Sequence, residues 1–100
     1  MLGLAKRAGK VDSGQFKAER SIKSGKAFLV ILSQDASDNT AKQFRDMCSW
    51  RKVPCIAAAD RYRLGGCIGA QERCVLAVTD PSFARRILEL YENNNSEYHQ

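Results

Sequence analysis

Three short, mostly apolar runs constrain what this chain can fold into. They are Ala27 to Leu32 (AFLVIL), Cys55 to Ala58 (CIAA) and Cys74 to Thr79 (CVLAVT). None approaches the roughly 20 apolar residues of a membrane span, and each has the length of a strand. Continuous rather than alternating apolar residues predict strands covered on both faces. Between the runs the period changes. Thr40 to Trp50 carries Ala41, Phe44 and Cys48 at helical spacing, and Phe83, Ala84, Ile87, Leu88 and Tyr91 form a second helical stripe behind the strong start signal Asp80-Pro81. Gln15 to Ser24 reads as a helix with Ala18 and Ile22 inward and a row of Lys17, Arg20 and Lys23 facing elsewhere. Ahead of it, Leu2 to Ala8 suits a short helix stopped by Gly9, and Lys10-Val11-Asp12 a short edge strand. Helices alternating with buried strands predict an α/β layered fold with helices on both sides of a sheet.

Smaller signals refine this pattern. Ser13 is the expected N-cap of the helix over Gln15 to Ser24. Val53-Pro54 breaks the helix before it. Asp60 is expected to cap a short helix through Leu64, followed by a glycine-rich turn from Leu64 to Gly69. At 100 residues the chain suits one domain, expected over residues 1–92, with a polar tail over 93–100. The opening MLGLAKRAGK has too short an apolar run for a secretory signal, so the expected location is cytoplasmic.

Catalytic and metal signals are weak. The cysteines Cys48, Cys55, Cys67 and Cys74 are separated by six, eleven and six residues, without the close ligand pairs of metal sites. The histidine, His99, lies in the tail. Buried reduced thiols are the expected state. Phosphate-loop, dinucleotide and HExxH motifs are absent from the sequence. The expectation is therefore a binding protein rather than an enzyme, with no cofactor and no metal.

Charge points to the kind of partner. The net charge is +5. Residues 1–26 hold seven basic groups (Lys6, Arg7, Lys10, Lys17, Arg20, Lys23, Lys26) against two acidic ones, Asp12 and Glu19, so this segment holds the entire excess. A basic cluster of this kind suits a polyanion, although a solvated basic surface would look the same in sequence.

Several stretches taken together resemble a known family. They are LGLAKRAGK (Leu2 to Lys10), Ser13-Gly14, SGKAFLVILSQDASDNT (Ser24 to Thr40), Val53-Pro54, LGGCIG (Leu64 to Gly69) and AVTDPSFA (Ala77 to Ala84). Their order and spacing are similar to those of the bacterial YlxQ-like proteins, a group within the ribosomal "L-seven-Ae" superfamily of kink-turn RNA binders. The resemblance spans about residues 2 to 91. It implies a three-layer α-β-α sandwich with a four-stranded mixed sheet, and a binding surface in two parts. In the family, the first part grips sheared G·A pairs and phosphates; the second packs on bases unstacked at the bend.

Carried onto this chain, the first part is Ser13, Gly14, Gln15, Lys17 and Arg20, with Lys10 in reach of a phosphate. A helix N-terminus offers N–H groups and partial positive charge, and Gln15 has both a donor and an acceptor for a base edge. The second part is Ala59, Asp60, Arg61, Tyr62, Leu64 and Gly65, where Tyr62 or Arg61 would meet unstacked bases. The chain departs from the family in two respects: Phe16 and Lys17 stand where kink-turn binders carry an Asn-Glu pair. Bacterial relatives also commonly have a longer first helix ahead of LGLA. The resemblance implies binding of structured, kink-turn-like RNA in a ribosome or ribonucleoprotein setting; the short apolar runs predict no membrane partner, and a monomer is expected. A protein-interaction adapter of the same fold, or the recognition module of an RNA-modifying assembly, are the alternatives.

Overall fold

The computed structural model describes residues 2–98, so the expectation for His99 lies outside the described residues. Helix α1 (Leu2–Arg7) leads to strand β1 (Val11–Ser13), then α2 (Gln15–Lys23), β2 (Leu29–Leu32), α3 (Asp38–Arg51), β3 (Cys55–Ala57), α4 (Arg61–Cys67), β4 (Val75–Val78) and α5 (Pro81–Tyr98). The strands form one sheet in the order β1-β4-β2-β3. β4 is antiparallel to both β1 and β2, while β2 and β3 run parallel. The sheet is therefore mixed, and α3 supplies the crossover that a parallel pair requires.

Alternation along the central strands divides the core in two. Leu29, Ile31, Leu76 and Val78 face one side, where Ala5 of α1, Leu64 of α4, and Ala84 and Ile87 of α5 cover them. Val30, Leu32, Val75 and Ala77 face the other side, under Ala18 and Ile22 of α2 and Phe44 and Cys48 of α3. Successive strand residues point to opposite faces, so both residue parities of β2 and β4 must be apolar. The continuous runs in the sequence arise from this arrangement. The result is the α-β-α sandwich that the resemblance implied.

Five expectations need correction. Ser13 does not cap α2: it is the last residue of β1, opposite Leu76, and Gly14 holds the cap position. β3 is only half-buried, because it forms the sheet edge beyond β2. Gly65 and Gly66 lie inside α4 rather than in a turn. There the helix must pass close to a neighbouring segment, since a Cβ on Gly65 would fall 1.8 Å from the Gln71 carbonyl oxygen. α5 continues to Tyr98, through most of the stretch expected as a polar tail. Of the cysteines, Cys48 is buried, Cys55 and Cys74 are half-buried, and Cys67 is exposed on α4.

Helix termini are capped as local chemistry dictates. The Ser37 hydroxyl accepts the Thr40 N–H at the start of α3, and Asp60 accepts the Arg63 N–H at 2.8 Å at the start of α4. Asp80 accepts the Ser82 and Phe83 N–H groups at the start of α5. α2 differs: no side chain caps it, and its first turn holds no acidic residue.

Candidate nucleic-acid interface

The chain leaves β1 for α2 through Gly14, whose φ of 92° and ψ of 160° lie in a region essentially reserved for glycine. Its N–H donates to the Val75 carbonyl at 2.9 Å, and its carbonyl accepts the Ala18 N–H at 3.0 Å. The space where a Cβ would stand is open. Glycine is thus needed for the backbone path, and the same choice leaves the surface clear. Because no side chain caps α2, its first-turn N–H groups and the positive end of its dipole face outward, as an anion requires.

A chain of backbone hydrogen bonds brings the remaining loops to this end of the sheet. The Ser33 N–H donates to the Cys74 carbonyl at 2.8 Å, the Gln34 N–H to Ala59 at 2.7 Å, and the Arg73 N–H to Arg61 at 2.9 Å. The exits of β1, β2 and β3 and the entry to β4 therefore share one end. Gln15, Lys17 and Arg20 are exposed there on α2, and Tyr62, 69% exposed, stands on the first turn of α4. The structure brings together the two parts that the sequence separates by some forty residues.

Four expected contact residues are placed differently. Lys10 precedes β1, and its carbonyl accepts the Thr79 N–H beyond the far end of β4. It lies at the opposite sheet end, about 10 Å from Ser13 along the strand. Leu64 is 2% exposed and Gly65 is buried, so both pack the α4 layer and offer no surface to a ligand. The Arg61 guanidinium is engaged: Nε lies 3.2 Å from Asp35 Oδ2, and Nη2 donates to the Asp35 carbonyl at 2.8 Å. The Arg61 N–H donates to Asp35 Oδ1 as well. Arg61 thus ties the β2–α3 loop to α4 instead of standing free to stack on a base.

This tie sets the local electrostatics. Partial desolvation works against ionisation of Asp35, but the Arg61 N–H and guanidinium favour it, and the carboxyl lies below its ordinary value. The hydrogen bond and charge of Asp35 in turn raise Arg61. Ala59, beside this tie, has a φ of 59°, an unusual left-handed conformation for a residue with a side chain. Such strained positions often accompany functional loops.

The sequence reading did not assign Phe16 or Lys26 to the surface. Phe16 is 73% exposed, with the Arg20 guanidinium carbon 5.9 Å from its ring centroid. An open groove of about 580 Å³ follows the flank of α2, lined by Asp12, Lys17, Arg20, Ser21, Lys23, Ser24 and Lys26. Its one carboxylate, Asp12, accepts a hydrogen bond from the Ser21 hydroxyl. Lys23 pairs with Glu19 at 2.8 Å, whereas Lys17, Arg20 and Lys26 have no ion-pair partner among the described residues. The recurrence of cations on α2 was legible in sequence; the exposure of Phe16 had a signal there too, since a residue one helical turn before Arg20 shares its face, away from Ala18 and Ile22.

Fold and surface together define a class: an α/β sandwich with an uncapped helix start at one end of its sheet and a cationic flank running from it along α2. The chain belongs to the Ribosomal protein L7Ae/L30e/S12e/Gadd45 family, whose model matches residues 1–88. It is 45% identical to the RNA-binding protein YlxQ of Bacillus subtilis over 92% of each chain. It is 36% identical to the RNA-binding protein YlxQ of Enterococcus faecium, over 92% of this chain and 88% of that one. Among solved structures, a protein of unknown function from Bacillus halodurans matches with a TM-score of 0.88 at 36% identity, covering 91% of this chain and 92% of that one. The 15.5 kD RNA binding protein of Giardia lamblia shares the fold, with a TM-score of 0.73 at 20% identity over 79% of this chain and 68% of that one.

Proposed function

We propose that this protein binds structured RNA of the kink-turn type through the sheet end formed by the start of α2 and the first turn of α4, as a cytoplasmic monomer within a ribosome or ribonucleoprotein. The observation that carries this reading is the uncapped, cation-bearing start of α2 sharing one end of the sheet with an exposed tyrosine. The names of the YlxQ relatives support RNA as the ligand. In this reading the first-turn N–H groups of α2, Lys17 and Arg20 hold phosphates, and Gln15 meets a base edge. Tyr62 packs on a base unstacked at the bend. Ser13 and Gly14 shape the turn that lets the RNA approach. The work is binding rather than catalysis, as the family and relatives' names indicate.

The test is a titration against a kink-turn RNA and a control whose G·A pairs are replaced by Watson–Crick pairs. Preferential binding to the bent RNA is expected. Reversing charge in the double variant Lys17→Glu, Arg20→Glu should weaken it on the order of 100-fold, from two charge-assisted contacts of about 1.5 kcal/mol each. Equal affinity for both RNAs would reject the kink-turn reading. Unchanged affinity in the double variant would reject this surface. A protein partner that survives nuclease treatment, with no RNA bound, would favour the adapter alternative.

A further inference from the structure

The kink-turn reading leaves part of the same face unused. An aromatic ring 73% in solvent is unfavourable for a residue that could be polar, and Phe16 contributes nothing to either half of the core. It sits one helical turn before Arg20, whose guanidinium lies over its ring. The groove cations begin beside this pair and continue along α2 to Lys23 and Lys26. On α2 (Gln15–Lys23) the track from Lys17 to Lys23 is about 9 Å long, and Lys26 extends it past the helix end. An exposed aromatic at the head of a cationic groove has the two elements of single-strand recognition, a stacking platform and a charged path for the backbone.

From this arrangement we infer that Phe16 stacks an unpaired base and that the groove from Lys17 to Lys26 carries the adjoining phosphates. The partner is thus an RNA with an unpaired run of nucleotides next to its structured part. Stacking is tolerant of base identity because every base has a π face, so this subsite selects for the absence of pairing rather than for sequence. Arg20 fits both roles: it lies over the ring in the free protein and can move to a phosphate when a base arrives. The inference rests on the RNA-binding reading, but it adds Lys23 and Lys26 and gives Phe16, which stands in the place of the family's Asn-Glu pair, a stacking role that the contacts proposed above leave unfilled.

A short single-stranded RNA carrying one 2-aminopurine, and the same RNA annealed to its complement, serve as probes, alongside the bent RNA above. Wild-type protein should bind the single strand more tightly than the duplex and change the 2-aminopurine fluorescence. Phe16→Ala should lose that signal and about tenfold in single-strand affinity, while its circular dichroism and its affinity for the duplex stay unchanged. Phe16→Trp should restore both signal and affinity, a rescue that a purely structural role would not produce. The double variant Lys23→Gln, Lys26→Gln should flatten the salt dependence of single-strand binding by about 1.4 in log–log slope. An undiminished signal and affinity in Phe16→Ala would overturn the stacking site. An unchanged salt slope in the lysine variant would overturn the backbone track. Loss of preference for the bent RNA, with the Phe16 effect intact, would reject the kink-turn reading and leave this subsite standing.

Discussion

At the scale of single residues, Gly14 and Ala59 form an instructive pair, because both adopt positive φ and only one is glycine. Gly14→Ala meets no neighbouring atom, so its cost is purely conformational, about 1–3 kcal/mol for that region. Chemical denaturation should show the loss, with the midpoint lowered and the slope unchanged. Ala59→Gly should act in the opposite direction. It relieves a left-handed penalty of about 1–2 kcal/mol against an entropic cost of about 0.5–1 kcal/mol, so the same measurement should find it neutral to slightly stabilising. Asp35 predicts a pH effect. Its carboxyl titrates below its ordinary value in the folded state, so its contribution to stability is full above about pH 4 and fades as pH falls through the lowered folded value. An Asp35→Asn variant should therefore show a shallower acid limb in a stability-against-pH series, with faster hydrogen exchange at the Arg61 N–H as the loop tie loosens.

At the scale of elements, the helix starts divide by role. α3, α4 and α5 are closed by Ser37, Asp60 and Asp80, while α2 is left open. A capped start spends its N–H groups on the protein's own side chains; an open one keeps them for a ligand. Removing the Asp80 cap should thus affect stability alone. Asp80→Ala should cost about 1 kcal/mol, or about 4–8 °C in Tm for a domain of this size. RNA affinity should not change, because α5 begins past the far end of β4. Calorimetry and a binding titration on the same sample check both halves. Asp80-Pro81, Asp60 and the inward stripes of α3 and α5 were readable from sequence, since capping and periodicity are local. The misassigned cap at Ser13 shows where local reasoning fails. Serine is a good cap in isolation, but here pairing with Leu76 keeps it in β1 and moves the helix boundary by one residue.

For the whole molecule, the excess charge matters through its position on one side of the sandwich. Lys17 and Arg20 on α2 and Lys26 just beyond it line one groove, and three to four phosphate contacts there give a log–log salt slope of about −3. Affinity measured across a salt series should follow that slope, and Lys17→Glu, Arg20→Glu should reduce its magnitude by about 2. Lys10 shows how misleading the linear count is. It belongs to the same basic segment yet emerges at the other end of the sheet, because β1 carries the chain across before α2 begins. A Lys10→Gln variant should leave RNA affinity nearly unchanged in the same titration.

Sequence alone determined most of the elements and their layering: the apolar runs that became β2 and β4 demand cover on both faces, and the intervening helical stripes supply it. It also determined which segment is cationic, because net charge is additive along the chain. Strand order, the edge position of β3 and the engagement of Arg61 by Asp35 were settled only in three dimensions, since each depends on residues distant in the chain. So was the burial of Leu64 and Gly65, which follows from how closely α4 passes the segment before β4. The tertiary structure likewise separated Phe16 from the apolar residues that fill the core. Hydrophobicity says what a side chain prefers and periodicity turns Ala18 and Ile22 inward, whereas only the packing of the folded chain leaves the Phe16 ring uncovered on the opposite face of α2.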